Sequence, residues 1–190
     1  MSQLSEAAIR NVVAEVISQL QVNGSAPSVT TRPGRHGVFD DANSAAQAAR
    51  GGFEQLSRKG WAARAKVVEI VKTMCADNAD RWGTVEFEET KIGRPDHKIG
   101  KLHGIKNVLG TEYLIPTGMS GDTGITMDES APFGVVGSIL PVTHSVPTMA
   151  GNIVNIVAAG NSVVFNPHPG GAACAAMAVH EFNEAIKAEL

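Results

Sequence analysis

The sequence predicts an α/β fold in which N-terminal helices precede the first half of a parallel sheet. Two short, largely apolar runs, at residues 135–140 and 162–166, have the length and composition of buried strands. Between them, residues 147–159 carry Met149, Ile153, Val154, Ile156 and Val157 in the pattern of an apolar helix, long enough to cross over between parallel strands. The handedness rule for such crossovers then gives a right-handed strand–helix–strand unit. Ahead of that unit, residues 40–105 read as helical.

Composition narrows the function. With 190 residues, of which 43% are hydrophobic and 18% charged, the chain can bury one sizeable core. Lys and Arg number 16 against 19 acids, a formal net charge of -3, so there is no basic surplus for phosphate-backbone binding and nucleic acid is not an expected partner. The only two cysteines, Cys75 and Cys174, lie far apart in helical stretches. They make neither a disulfide framework nor a zinc site, and a reducing cytoplasm is the simplest compartment. No apolar run approaches the roughly 20 residues of a membrane span, and the N-terminus lacks the basic start and apolar block of a secretory signal. Asp96, His97 and His103 do not have metal-ligand spacing, so no metal is expected.

The elements follow in order. Within residues 1–20, Ile9, Val12, Val13, Val16, Ile17 and Leu20 fall at helical offsets on one stripe, an amphipathic helix. Residues 21–37 are rich in Gly, Pro, Ser and Thr and read as a flexible linker. A short helix on such a linker is marginal alone and needs a surface to dock on, either its own domain or an external partner. Residues 38–190 form the remaining domain. Asp41 or Asn43 caps its first helix, Gly51-Gly52 interrupts it, and Trp61, Ala65, Val68, Ile70, Val71 and Met74 supply apolar positions to the next, with Cys75 as a small core residue. Glu86, Glu88 and Glu89, then Lys91, Arg94, Lys98 and Lys101, read as a solvated helix face. Residues 118–124 read as turn material, and residues 125–129 as an exposed or pairing strand. Gly160-Asn161 stops the crossover helix, and a last helix begins near Ala172.

In parallel sheets ligands bind beyond the carboxyl ends of the strands. Those ends are residues 140–144 and 166–170, where prolines stiffen the backbone and Thr143, His144, Asn166 and His168 supply polar tips. No Gly-x-Gly-x-x-Gly follows the first strand, so the ordinary dinucleotide fingerprint is absent. Asn166 stands where such folds often carry an acid for an adenosine ribose; it either hydrogen-bonds ribose hydroxyls or caps its strand.

Two motifs carry a resemblance. Ala131-Pro-Phe-Gly-Val-Val-Gly-Ser-Ile-Leu-Pro-Val-Thr-His-Ser-Val-Pro-Thr148 and Ala158-Ala-Gly-Asn-Ser-Val-Val-Phe-Asn-Pro-His-Pro169 closely resemble the CoA-acylating branch of the aldehyde dehydrogenase superfamily, including the propanal and ethanal dehydrogenases of bacterial microcompartments. General members carry a lysine at the position of Asn166, and the uncharged Asn-Pro-His-Pro version looks like the acylating branch. The resemblance implies an aldehyde-dehydrogenase-like fold and oxidation of a short-chain aldehyde by NAD through a cysteine thiohemiacetal, with coenzyme A releasing the thioester. It implies that Leu140, Pro141, Val142, Thr143, Asn166, Pro167 and His168 contact the cofactor. Where the family usually reads Thr-Asn-Pro, this sequence reads Thr143-His144-Ser145, so the resemblance puts His144, with Thr143 second, in the oxyanion-holding role; a satisfied structural histidine is the other reading. Residues 1–20 and 21–37 look like the helix and linker by which microcompartment enzymes dock on shell proteins, which implies residence in the microcompartment lumen. Residues 125–129 look like strands through which the family forms homo-oligomers.

The family's nucleophilic cysteine lies well downstream of the second motif, and none is expected within these 190 residues. The chain therefore reads as the N-terminal part of a larger enzyme. The alternatives are a non-catalytic interaction or assembly module of a microcompartment and a non-acylating aldehyde dehydrogenase.

Overall fold

The computed structural model describes residues 36–190. The helix expected at 1–20, and all but the last two residues of the linker expected at 21–37, lie outside the described residues. The domain opens with helix α1 (Ala42–Asp77), and of the two expected caps Asp41 is the one used: its Oδ1 accepts the Ser44 N–H at 2.9 Å. The helix passes through Gly51-Gly52 without the expected break, since two glycines cost only about 2 kcal/mol in helix propensity and packing overrides that. It bends instead at Gly60, whose φ of 73° is a conformation that side chains other than glycine's resist. Trp61, just past the bend, remains 47% exposed.

Helix α2 (Ala79–Thr90) ends on Lys91 in the left-handed region, and α3 (Pro95–Gly104) starts on a proline whose missing N–H is no loss in the first turn. Here the expected solvated face is corrected. Glu86 and Lys98 are fully buried and pair at 3.2 Å, because α2 and α3 pack side by side beneath the sheet's ligand end and turn these two residues inward. A second correction follows: residues expected as turn material form strand β1 (Thr117–Gly121), paired antiparallel with β2 (Gly124–Asp128). Every residue of this hairpin is exposed, so no burial pattern marked β1; the turn itself is only Asp122-Thr123.

Strands β3 (Val135–Leu140) and β4 (Ser162–Pro167) are parallel and in register from Val135 opposite Ser162 to Leu140 opposite Pro167. Helix α4 (Ser145–Ala158) makes the crossover, and α5 (Ala172–Glu189) follows β4 after a short 3-10 turn (Pro169–Gly171). The loop between α4 and β4 is tied to the start of β3: Asn161 Oδ1 accepts the Gly134 N–H at 2.9 Å, and the Ser162 N–H donates to the Gly134 carbonyl at 2.9 Å.

One core joins these elements. Val67, Val71 and Cys75 of α1, Trp82 of α2, Leu102 of α3, Val146, Met149 and Val154 of α4, and Cys174, Ala178 and Phe182 of α5 are all buried in it. Trp82 meets Phe182 edge to face at 5.1 Å, while its indole N–H donates to Glu181 at 3.2 Å. Cys75 is the small core residue the sequence predicts, and burial pushes its thiol up to about 12. Among the described residues no helix is long and apolar enough to cross a membrane.

Trp82→Ala empties the centre of this core. It is expected to cost about 3–5 kcal/mol, read as a lower denaturant midpoint. Glu181 supplies a pH-dependent contribution: the hydrogen-bonded Arg81 guanidinium holds its carboxyl below the ordinary 4.5. A depressed folded value means the contribution is complete above 4.5 and is lost as pH falls through the folded value. The melting-temperature gap between the native chain and Glu181→Gln should therefore be constant near neutrality and shrink progressively below pH 4.5. A gap that widens in acid would contradict the assignment.

Candidate functional site

Two turns lie side by side at the carboxyl end of the sheet. The first, a 3-10 turn (Val142–His144), leaves β3 through Pro141; the second leaves β4 through His168. They are tied together because the His168 N–H donates to the Leu140 carbonyl at 3.0 Å. The packing is close enough that a Cβ on Gly171 would come within 2.5 Å of Ser145 Oγ. That hydroxyl donates to the Pro141 carbonyl at 2.8 Å.

The residues expected to touch a cofactor fall into two groups. Leu140 is wholly buried, so its side chain belongs to the core, and Pro141, Val142 and Pro167 are half-buried walls. Thr143, Asn166 and His168 are exposed, and His144 is half-buried. His168 Nδ1 accepts the Gly170 N–H at 3.0 Å, which orients its ring. These exposed groups are hydrogen-bonding side chains of a kind suited to the hydroxyls and amides of an adenosine moiety.

Thr143 Oγ1 lies 2.6 Å from His144 Nδ1. Burial is the main influence holding this imidazole below its usual range; Lys101 and Lys98 lower it further, and Glu86 opposes them. These influences favour the neutral ring. When the threonine hydroxyl donates to Nδ1, the ring proton sits on Nε2 and makes that nitrogen a donor; the reverse sense makes Nε2 an acceptor.

Sequence reasoning missed what lies behind the turns. Glu86 Oε1 accepts the Val146 N–H at 3.0 Å in the first turn of α4. Glu89, one turn along α2, accepts the Ala173 and Cys174 N–H groups at 2.8 and 2.6 Å in the first turn of α5. Both helix N-termini, the usual seats of a pyrophosphate, already hold a carboxylate of the protein. The only local signal was the three-residue spacing of the two glutamates, which put them on one helix face. Neither cysteine is poised for nucleophilic chemistry. Cys174 donates to the Gly171 carbonyl at 3.3 Å, and burial, reinforced by Glu89, pushes its thiol up to about 12.

Known proteins are similar to this chain in sequence and fold. The sequence profile of the aldehyde dehydrogenase family matches residues 35–188. An acetylating acetaldehyde dehydrogenase of Bilophila wadsworthia is 32% identical over 186 residues, which span 94% of this chain and 38% of that protein. Among solved structures, a propionaldehyde dehydrogenase from the fucose-utilisation bacterial microcompartment of Clostridium phytofermentans aligns with a TM-score of 0.75 at 37% identity, over 78% of this chain and 34% of that one. A propionaldehyde dehydrogenase of Rhodopseudomonas palustris with bound propionyl-CoA aligns with a TM-score of 0.78 at 30% identity, over 86% of this chain and 38% of that one. The chain thus spans little more than a third of the length of these relatives. With its helical layer, its parallel strand pair and the profile match over nearly all the described residues, the chain belongs to the aldehyde dehydrogenase family.

Proposed function

We propose that this chain supplies the N-terminal helices and the first part of the nucleotide-binding sheet of a CoA-acylating, NAD-linked aldehyde dehydrogenase acting on a short-chain aldehyde. What carries the reading is the pair of adjacent strand-end turns exposing Thr143, Asn166 and His168, set in a frame similar to that of acylating relatives. Asn166 and His168 would meet the adenosine end of NAD or coenzyme A, with Leu140, Pro141, Val142, Thr143 and Pro167 forming the wall behind. When bound, NAD takes up the hydride and coenzyme A the acyl group.

His144 is the residue of this chain assigned to the reacting aldehyde. Kept neutral, and with Nδ1 accepting from Thr143, it offers Nε2–H to an oxygen on which negative charge develops. The thiolate is neither Cys75 nor Cys174, both buried with raised pKa values; it belongs to the portion of the relatives that this chain does not span. Residues 1–20, with the apolar stripe Ile9, Val12, Val13, Val16, Ile17 and Leu20, would dock on a microcompartment shell protein, tethered by residues 21–37, which would place the enzyme in the compartment lumen. The apolar side chains Met119, Ile125 and Met127 of the hairpin serve a homo-oligomer contact.

The test is an assay of NAD reduction by the gene product, read through to its natural stop codon, with a panel of short aldehydes. Activity that requires coenzyme A supports the proposal. Activity without it indicates a non-acylating enzyme, and none at all favours a binding or assembly module. In the active enzyme, His144→Ala is expected to reduce kcat by about 10²–10³-fold while leaving the NAD dissociation constant nearly unchanged. A fluorescent protein fused to residues 1–20 should collect at the cognate shell in cells that assemble it; a diffuse signal there rejects the docking role.

A further inference from the structure

The turn that carries Thr143 and His144 is held from beneath by two charges sealed from solvent. Glu86 of α2 and Lys98 of α3 are fully buried and pair at 3.2 Å. Glu86 Oε1 accepts the Val146 N–H at 3.0 Å, and Lys98 Nζ donates to the Thr143 carbonyl at 3.0 Å. The pair therefore brackets His144, with one hydrogen bond to the residue before it and one to the second residue after it. Glu86 Oε2 has no partner among the described residues beyond this ion pair, and the same ammonium that faces it also donates to Thr143.

Burying a carboxylate and an ammonium is costly, and an apolar pair of similar volume is often at least as stable. A serine or asparagine cap would satisfy the start of α4 at far smaller cost. Stability alone thus gives a poor account of a buried pair at this place. Its particular effect is to fix a donor and an acceptor on either side of one imidazole.

We infer that Lys98, oriented by Glu86, is a positioning residue for His144: by gripping the Thr143 carbonyl it holds the Thr143 hydroxyl on ring Nδ1 and leaves Nε2–H as the outward donor. The inference rests on the reading of His144 as the group that meets the aldehyde oxygen. The 2.6 Å contact between the Thr143 hydroxyl and Nδ1 spans the Thr143–His144 peptide, whose carbonyl is the one Lys98 holds. Rotation of that peptide frees the ring to adopt the other tautomer, which presents a lone pair where a donor is needed.

The test combines histidine ¹⁵N NMR with steady-state kinetics on the gene product read to its natural stop codon. In the native protein at neutral pH, His144 should show a single neutral tautomer protonated at Nε2; comparable populations of both tautomers overturn the inference. The double variant E86Q/K98M removes both charges and nearly preserves both volumes. It is expected to melt cooperatively, to show mixed His144 tautomers, and to lose about tenfold or more in kcat with KM for NAD and coenzyme A within about threefold. Native tautomer and native kcat in this variant overturn the inference. So does loss of folding, because stability would then account for the pair. His144→Ala separates the two readings. Unchanged turnover in that variant removes the donor role itself, whereas turnover lost there but kept in E86Q/K98M removes only the positioning role.

Discussion

Two glutamates three residues apart on α2 meet the first turns of two different helices, and the ligand end of the sheet is organised around that contact. Glu86 reaches α4 and Glu89 reaches α5, so each strand–helix junction closes on a carboxylate from the same helix. A helix start exposes N–H groups with no partner inside the helix and carries a partial positive charge. In many nucleotide-binding sheets a phosphate answers both needs, and a glycine-rich turn lets it approach. Here the protein answers them itself. The missing Gly-x-Gly-x-x-Gly and the two capping glutamates are thus two sides of one arrangement. A ligand at this edge has to be recognised by the side chains that project from the turns.

The same contact explains which parts of the fold could be read ahead of the structure. β3, β4, α4 and α5 were legible because their signals are local: a largely apolar run, a Gly160-Asn161 stop, a helix of small residues after a proline turn. The expected burial of the two strands is corrected, since of their residues only Leu140 is buried among the described residues. Glu86 and Lys98 were not. In sequence they stand among Glu88, Glu89, Lys91 and Arg94, where the pattern of a solvated face is the same whether or not two members turn inward. Only the packing of α2 against α3 and the ends of the sheet decides that, and their partners lie 60 and 45 residues away. β1 escaped for a different reason. With Gly118, Ser120 and Gly121 exposed in a backbone ladder, it offers no alternation to detect. The break expected at Gly51-Gly52 failed because helix propensity is weak beside tertiary packing, whereas Gly60 bends the helix through an actual positive φ.

The candidate site was legible in its residue types and illegible in its mechanics. Thr143, His144, Asn166 and His168 follow from their place at strand ends, and the structure puts both turns side by side. What gives His144 a definite chemical state comes from Thr143 next to it and from Lys98, Lys101 and Glu86, which no spacing rule connects to it. A histidine in place of an amide is otherwise an uncertain oxyanion donor, since it can ionise and can present either a proton or a lone pair. Burial and two lysines suppress the first ambiguity, and a neighbouring hydroxyl can suppress the second.

The amide at the end of β4 has a consequence for the proposed cofactors. A lysine at the position of Asn166 would grip ribose hydroxyls only as a donor and would carry a charge into the adenosine pocket. An amide both donates and accepts, so it can meet a hydroxyl in either sense and does not favour an anionic partner over a neutral one. His168, oriented by the Gly170 N–H, adds a second adaptable group beside it. With both helix N-termini occupied by carboxylates, neither turn selects strongly for the phosphates that distinguish NAD from coenzyme A. On the proposed reading this suits an enzyme in which two adenosine-bearing molecules use one place in turn. Tight, charge-based retention of the first would delay arrival of the second, and on that reading an edge without a lysine at Asn166 would bind each without holding either too firmly.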